Sequence, residues 1–120
     1  MESFIQSLEQ KFGVQKDPMR CVPTAFILSF KEGDAVVTIR IVIYEFSKRT
    51  TMEITNMTTL PDSEKGKGMG SKALHELLLW AEDNEIKSVT AVQVSKLAES
   101  FWKKNGFSKV GNASHDFSWK

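Results

Sequence analysis

Alternation of apolar and polar residues is strongest between Val36 and Phe46. Read as a strand, this stretch puts Val37, Ile39, Ile41 and Ile43 on one side and Val36, Val42, Tyr44 and Phe46 on the other, around Thr38 and Arg40. Apolar residues on both sides predict a strand at the centre of its sheet, with both faces largely covered. Ala25 to Phe30 reads as the preceding strand, joined to it by a hairpin turn at Lys31-Glu32-Gly33-Asp34. The polar Ser47 to Thr50 then turns the chain into a strand from Met52 to Leu60. Near the N-terminus, Phe4, Ile5, Leu8 and Phe12 share one stripe of a helix over residues 2–12, ending at Gly13. Gln15 to Pro18 reads as a loop, and no clear first strand is visible.

Beyond Leu60 the period changes. Ala73, Leu74, Leu77, Leu78 and Ala81 recur at helical spacing, which predicts a helix from about Gly68 to Asp83. After a turn at Asn84 comes a strand from Ser88 to Val94. Strand, helix, strand in that order implies a right-handed crossover and parallel pairing. A second helix, about Lys96 to Lys104, stops at Asn105-Gly106. Phe107 to Val110 and Asp116 to Trp119 form a closing hairpin around Gly111-Asn112. The expected fold is α+β, a mixed sheet in which an antiparallel meander precedes one βαβ crossover, with helices on its faces.

Composition narrows the class. The chain has 120 residues, 41% hydrophobic and 26% charged, which suits one domain over residues 1–120 with one core. A net charge of +1 gives no general electrostatic case for nucleic acid, and no apolar run approaches the ~20 residues of a membrane span. The first residues lack the basic-then-apolar layout of a secretion signal. Cys21, the only cysteine, can form no internal disulfide and has no metal ligands nearby. A reducing cytoplasm is therefore expected, without a metal.

The chemistry concentrates in Lys65-Gly66-Lys67-Gly68-Met69-Gly70-Ser71. Ile54, Met57 and Thr59 lead up to it through Leu60-Pro61, and the helix begins within it. A glycine-rich turn that opens a helix presents free backbone N–H groups and the positive end of the helix dipole. Phosphate groups bind there without any particular side chain. The spacing is GxGxG, neither a dinucleotide GxGxxG nor a P-loop, since no Gly-Lys-Ser/Thr follows.

Two blocks carry a family resemblance. Ile54-x-x-Met57-x-Thr59-x-Pro61 followed by Lys65-Gly66-Lys67-Gly68-Met69-Gly70 is similar to the acetyl-CoA signature, Gln/Arg-x-x-Gly-x-Gly/Ala, of the GCN5-related N-acetyltransferase (GNAT) superfamily. Ala98-x-x-Phe101-Trp102-x-Lys104-x-Gly106-Phe107 resembles that family's closing helix and strand. The likeness covers roughly residues 52–107, and the N-terminal part looks abbreviated. It implies an acetyl-CoA-dependent N-acetyltransferase acting on a primary amine, with no membrane attachment. Met57, Thr58 and Thr59 would face the pantetheine arm. Lys65, Gly66, Lys67, Gly68, Met69, Gly70 and Ser71 would surround the phosphates, and Trp102 and Lys104 would border the cofactor from the last helix. The acceptor and the oligomeric state stay open.

The resemblance is incomplete where the chemistry is done. Lys65 stands in place of the usual Gln or Arg, and the loop after Pro61 is about one residue longer than in many relatives. The family's Tyr on the last helix, often the general acid, corresponds to Trp102, whose indole cannot give up a proton. A thiol of pKa near ~8.5 leaves as its anion without help, so losing the acid slows transfer rather than abolishing it. Glu53 is the candidate general base, because relatives often place a carboxylate on this strand. Tyr44 offers a substitute proton donor, although a lone Tyr on a hydrophobic strand also suits the core. His75, on a solvated helix face, and Cys21 get no catalytic role, while His115, in the terminal hairpin, could line the substrate side. Trp80 and Trp119 read as core. The alternative to an enzyme is an acyl-CoA-binding sensor or protein-interaction module of the same fold. A weaker alternative is nucleic-acid binding through Lys65, Lys67, Lys72, Lys103 and Lys104.

Overall fold

Long β-branched runs set the centre of the molecule. The structure, a computed structural model, describes residues 2–20, 22–111 and 114–119, with Glu2 described by its backbone. Helix α1 (Glu2–Glu9) is followed by strands β1 (Gly13–Lys16), β2 (Ala25–Glu32), β3 (Ala35–Phe46) and β4 (Arg49–Leu60). Helix α2 (Met69–Asp83), strand β5 (Ser88–Ala91), helix α3 (Glu99–Lys104) and strands β6 (Ser108–Lys109) and β7 (Phe117–Trp119) complete it. The strands among the described residues form one sheet in the order β1-β2-β3-β4-β5-β7-β6. All pairs are antiparallel except β4 with β5, the parallel pair that the crossover through α2 requires. The meander and the single βαβ unit are as the sequence predicts.

One side of the sheet is the core side. Val37, Ile39, Ile41 and Ile43 of β3 are buried in one cluster with Leu8 of α1, Leu74, Leu77 and Trp80 of α2, Trp102 of α3 and Phe117 of β7. Each fully buried aliphatic or aromatic side chain of this kind contributes about 1.5–3 kcal/mol relative to exposure. The Trp80 indole N–H donates to Ser7 Oγ at 2.9 Å, which lets a polar group sit in that cluster.

The other side is only partly covered, which corrects the expectation for β3. Val42 is buried there, but Tyr44 and Phe46 are exposed, Phe46 at 82%. On that side the Arg40 guanidinium anchors Asp17, its Nη1 donating to both carboxylate oxygens at 3.0 and 3.1 Å. Backbone bonds from Asp17 N to Ala25 O and from Ile43 N to Thr24 O, both 3.0 Å, fix Asp17 and Thr24 beside the sheet.

Further boundaries differ from the sequence reading: α1 ends at Glu9 instead of near Phe12, and β4 begins at Arg49 instead of Met52. Gln15 and Lys16, expected in a loop, belong to the strand Gly13–Lys16, which pairs with Phe26–Ser29, so its structure comes from a partner and not from its own propensity. Strand β5 ends at Ala91 instead of Val94, because Gln93 takes a left-handed backbone conformation with φ of 54°. The helix expected from Lys96 begins as a 3₁₀ turn over Lys96–Ala98. Cys21 and Asn112, the tip of the expected terminal hairpin, lie outside the described residues. Among the described residues no helix is long and apolar enough to cross a membrane.

Candidate functional site

A β-bulge and a short strand together open a gap in the sheet. Arg40 pairs with Asn56 and Ile41 with Ile54, so Thr55 is a surplus residue on β4. Its hydroxyl donates to the Arg40 carbonyl at 3.4 Å. Pairing between β4 and β5 ends at Ile54 opposite Ala91, with a last bond from Val92 N to Ile54 O at 3.0 Å. Beyond it β4 runs on to Leu60 while Val92–Ser95 leaves the sheet. Between them lies a cleft of about 580 Å³.

The glycine-rich turn closes one end of this cleft. Gly66 and Gly68 have φ of 82° and 84°, a left-handed conformation that costs a residue with a Cβ roughly 1–2 kcal/mol. Gly68 is the N-cap of α2 and accepts the first helical bond, from Lys72 N at 3.0 Å. The amides from Gly68 to Ser71 consequently have no partner within the helix. A Cβ on Gly70 would stand 3.4 Å from the Phe101 ring and 3.8 Å from Thr59 Oγ1. Those are ordinary contact distances, so a methyl group would fit there while a larger side chain would press on the Phe101 ring.

Most of the residues singled out from sequence converge on this cleft. Met57, Thr58, Thr59, Lys65, Gly66, Gly68, Met69, Gly70, Ser71, Trp102 and Lys104 all line it. Lys67 does not; its ammonium pairs with Glu64 at 3.1 Å. Trp102 is buried and packs edge-on against Phe101 and Phe107, with ring centroids 5.2 and 4.9 Å away, so it serves the core as well as the cleft wall. The sequence predicts a gap where Met52–Leu60 and Ser88–Val94 part, but singles out no lining residue on the far side, where Val92, Gln93, Val94 and Ser95 stand, nor Phe101. That wall is shaped from a distance. Asp116 Oδ1 accepts from Gln93 N at 3.0 Å and the His115 carbonyl from Val94 N at 2.8 Å.

The titratable residues are distributed unevenly. Glu53 is outside the cleft lining, on the sheet face away from the core, where it is opposite Val42 on β3 and Thr90 on β5. The Tyr44 hydroxyl donates to Glu53 Oε1 at 3.2 Å. Burial pushes the Tyr44 phenol above its usual value; the charge of Glu53 and the hydrogen bond to it add to this, and Arg20 opposes it. His75 and His115 are exposed and do not line the cleft. Four lysines around the mouth are matched by carboxylates, Lys65 with Asp62, Lys67 with Glu64, Lys72 with Glu32 and Lys103 with Glu99. Among the described residues no group of three or more His, Cys, Asp or Glu is placed to hold a metal ion.

Known proteins share this fold. The chain is similar to the crystal structure of AtaTR bound with AcCoA, at 17% identity and a TM-score of 0.53, over 78% of this chain and 67% of that one. It also resembles Ard1 from Thermoplasma volcanium, at 18% identity and a TM-score of 0.52, over 98% of this chain and 76% of that one. The crystal structure of the KacTA-DNA complex matches at 14% identity and a TM-score of 0.54, over 79% of this chain and 65% of that one. The chain thus spans just under two thirds of the KacTA chain's length. These likenesses show the fold. No curated protein matches the sequence. The profile of the Acetyltransferase (GNAT) family matches residues 4–107, nearly the whole length, and the chain therefore belongs to the GNAT acetyltransferase family.

Proposed function

We propose that this protein is an acetyl-CoA-dependent N-acetyltransferase, acting as a single domain on a primary amine. The observation that carries this reading is the parting of β4 and β5 directly beside the left-handed glycine turn of α2. A gap with free strand edges on one side and unpaired helix amides on the other suits a long ligand with a diphosphate. Gly66 and Gly68 fit that ligand: both line the cleft, and a Cβ at either would meet no protein atom within 4 Å, so the space above them is open.

The chain's own residues divide the work. The amides of Gly68 to Ser71 hold the phosphates, and Lys65 and Lys104 add charge at the mouth. Backbone groups of Met57 to Thr59 orient the pantetheine arm. Bound acetyl-CoA supplies an acetyl group on a thioester; the acceptor nitrogen forms the amide as the C–S bond breaks, giving the thiol and one proton from the acceptor ammonium. Glu53 takes that proton, directly or through water, and passes it to solvent. Trp102 walls the cleft and donates no proton, so the thiolate departs on its own acidity.

Calorimetric titration with coenzyme A, combined with a thiol-release assay on acetyl-CoA and mixed primary amines, tests the reading. Binding together with acceptor-dependent thiol is the expected result. Absence of binding at millimolar coenzyme A and low salt overturns it. Binding without thiol release for any acceptor would favour an acyl-CoA sensor instead, the reading that the indole at Trp102 supports.

A further inference from the structure

We propose that Tyr44 is a positioning residue for acetyl transfer, its hydroxyl fixing the Glu53 carboxylate so that the free oxygen meets the acceptor's proton. The inference rests on the reading of Glu53 as base. Tyr44 on β3 and Glu53 on β4 are diagonal neighbours on one sheet face, since Tyr44 pairs with Thr51 and Val42 with Glu53. The phenol donates to Oε1 at 3.2 Å, and Oε2 has no protein donor among the described residues.

Position makes the pair more than a surface contact. Glu53 stands one rung before Ile54 and Ala91, the last pair before the strands part. Its carboxylate therefore lies where the gap begins, on the face that the helices do not cover. A glutamate on an open face samples several rotamers, and one hydrogen bond to one oxygen removes that freedom. The charged groups facing the pair are few. Arg20 acts on Tyr44, and Arg40 on β3 is occupied by Asp17. Ser88 and Thr90, on the facing side of β5, carry no charge.

A packing role does not account for Tyr44. The residue is 40% exposed and is absent from the core cluster. It is also the only tyrosine in the chain, so its ionisation can be read without ambiguity from phenolate absorbance.

The test has two arms. In an alkaline absorbance titration, Tyr44 should ionise above the usual phenol value in the wild type and at a lower pH in Glu53→Gln. An unchanged midpoint overturns the contact and the role with it. In thiol-release kinetics, with acetyl-CoA and a pool of lysine-containing peptides and spermidine as acceptors, Tyr44→Phe should lower turnover about tenfold. The KM for acetyl-CoA should stay constant, and Tyr44→Phe should add nothing in a Glu53→Gln background. Equal losses in both backgrounds, or none in the wild type, overturn the role of Tyr44 alone. A wild type that releases no thiol with any acceptor overturns the proposed activity and this role together.

Discussion

Asn105, the C-cap of α3, reaches Ser71 in the first turn of α2: Nδ2 donates to Oγ at 3.2 Å while also donating to the Phe101 carbonyl at 2.8 Å. One side chain thus ends the last helix and ties it to the turn that would hold phosphate. Asn105→Ala removes both bonds and should cost about 1–2 kcal/mol, read by urea denaturation. Ser71→Ala leaves the bond to Phe101 and should cost less. The double variant should be less than additive, because the two residues share a contact.

The glycines should separate stability from affinity. Gly68→Ala forces a Cβ into a left-handed backbone and should destabilise by about 1–2 kcal/mol. Gly70 is helical and adjoins Phe101, so Gly70→Val must displace that ring. Calorimetry should show at least a tenfold loss of coenzyme A affinity for Gly70→Val, with a stability change of only about 1–3 kcal/mol.

Asp17 and Arg40 should respond unequally to loss of the other. The Asp17 side chain is 2% exposed and the Arg40 side chain 38%. Arg40→Met strands a buried carboxylate with only the Met19 amide, 3.0 Å away, and should cost about 2–3 kcal/mol after allowance for the exposure of arginine. Asp17→Asn leaves a guanidinium that water can reach and should cost about 1 kcal/mol. Thermal melts of the two variants check the order.

Tyr44 should also leave a mark on alkaline stability. Its folded-state pKa is raised, so its contribution is complete below the usual phenol value and is lost as pH climbs through the folded one. Comparing melting temperature against pH for the wild type and Tyr44→Phe isolates this group from the lysines. The wild type should lose more stability than the variant across that range.

Local signals carried much of the fold. Alternation in β3 and helical spacing in α2 are properties of the segment itself, and Asn105-Gly106 ends α3 as expected, with Gly106 at φ of 92°. What stayed hidden depends on partners. Val14 is the lone apolar residue of β1, which exists because β2 offers it a ladder. The wall at Gln93 and Val94 takes its shape from Asp116 and His115, more than 20 residues away, which no reading of β5 alone can foresee. Exposure of Tyr44 and Phe46 was equally invisible, since alternation shows that two faces exist but not that both are covered.

Thr55 sets the parity of everything after it on β4. With it, Met57 and Thr59 fall beside Ile39 and Val37 and look toward α2, while Asn56, Thr58 and Leu60 are exposed on the opposite side. Were Thr55 instead paired regularly with Arg40, Asn56 would slide opposite Ile39 and Met57 would turn outward, reversing which side chains the ligand meets. The identity of the lining is therefore written less in the letters of the motif than in the one residue left out of the ladder before it.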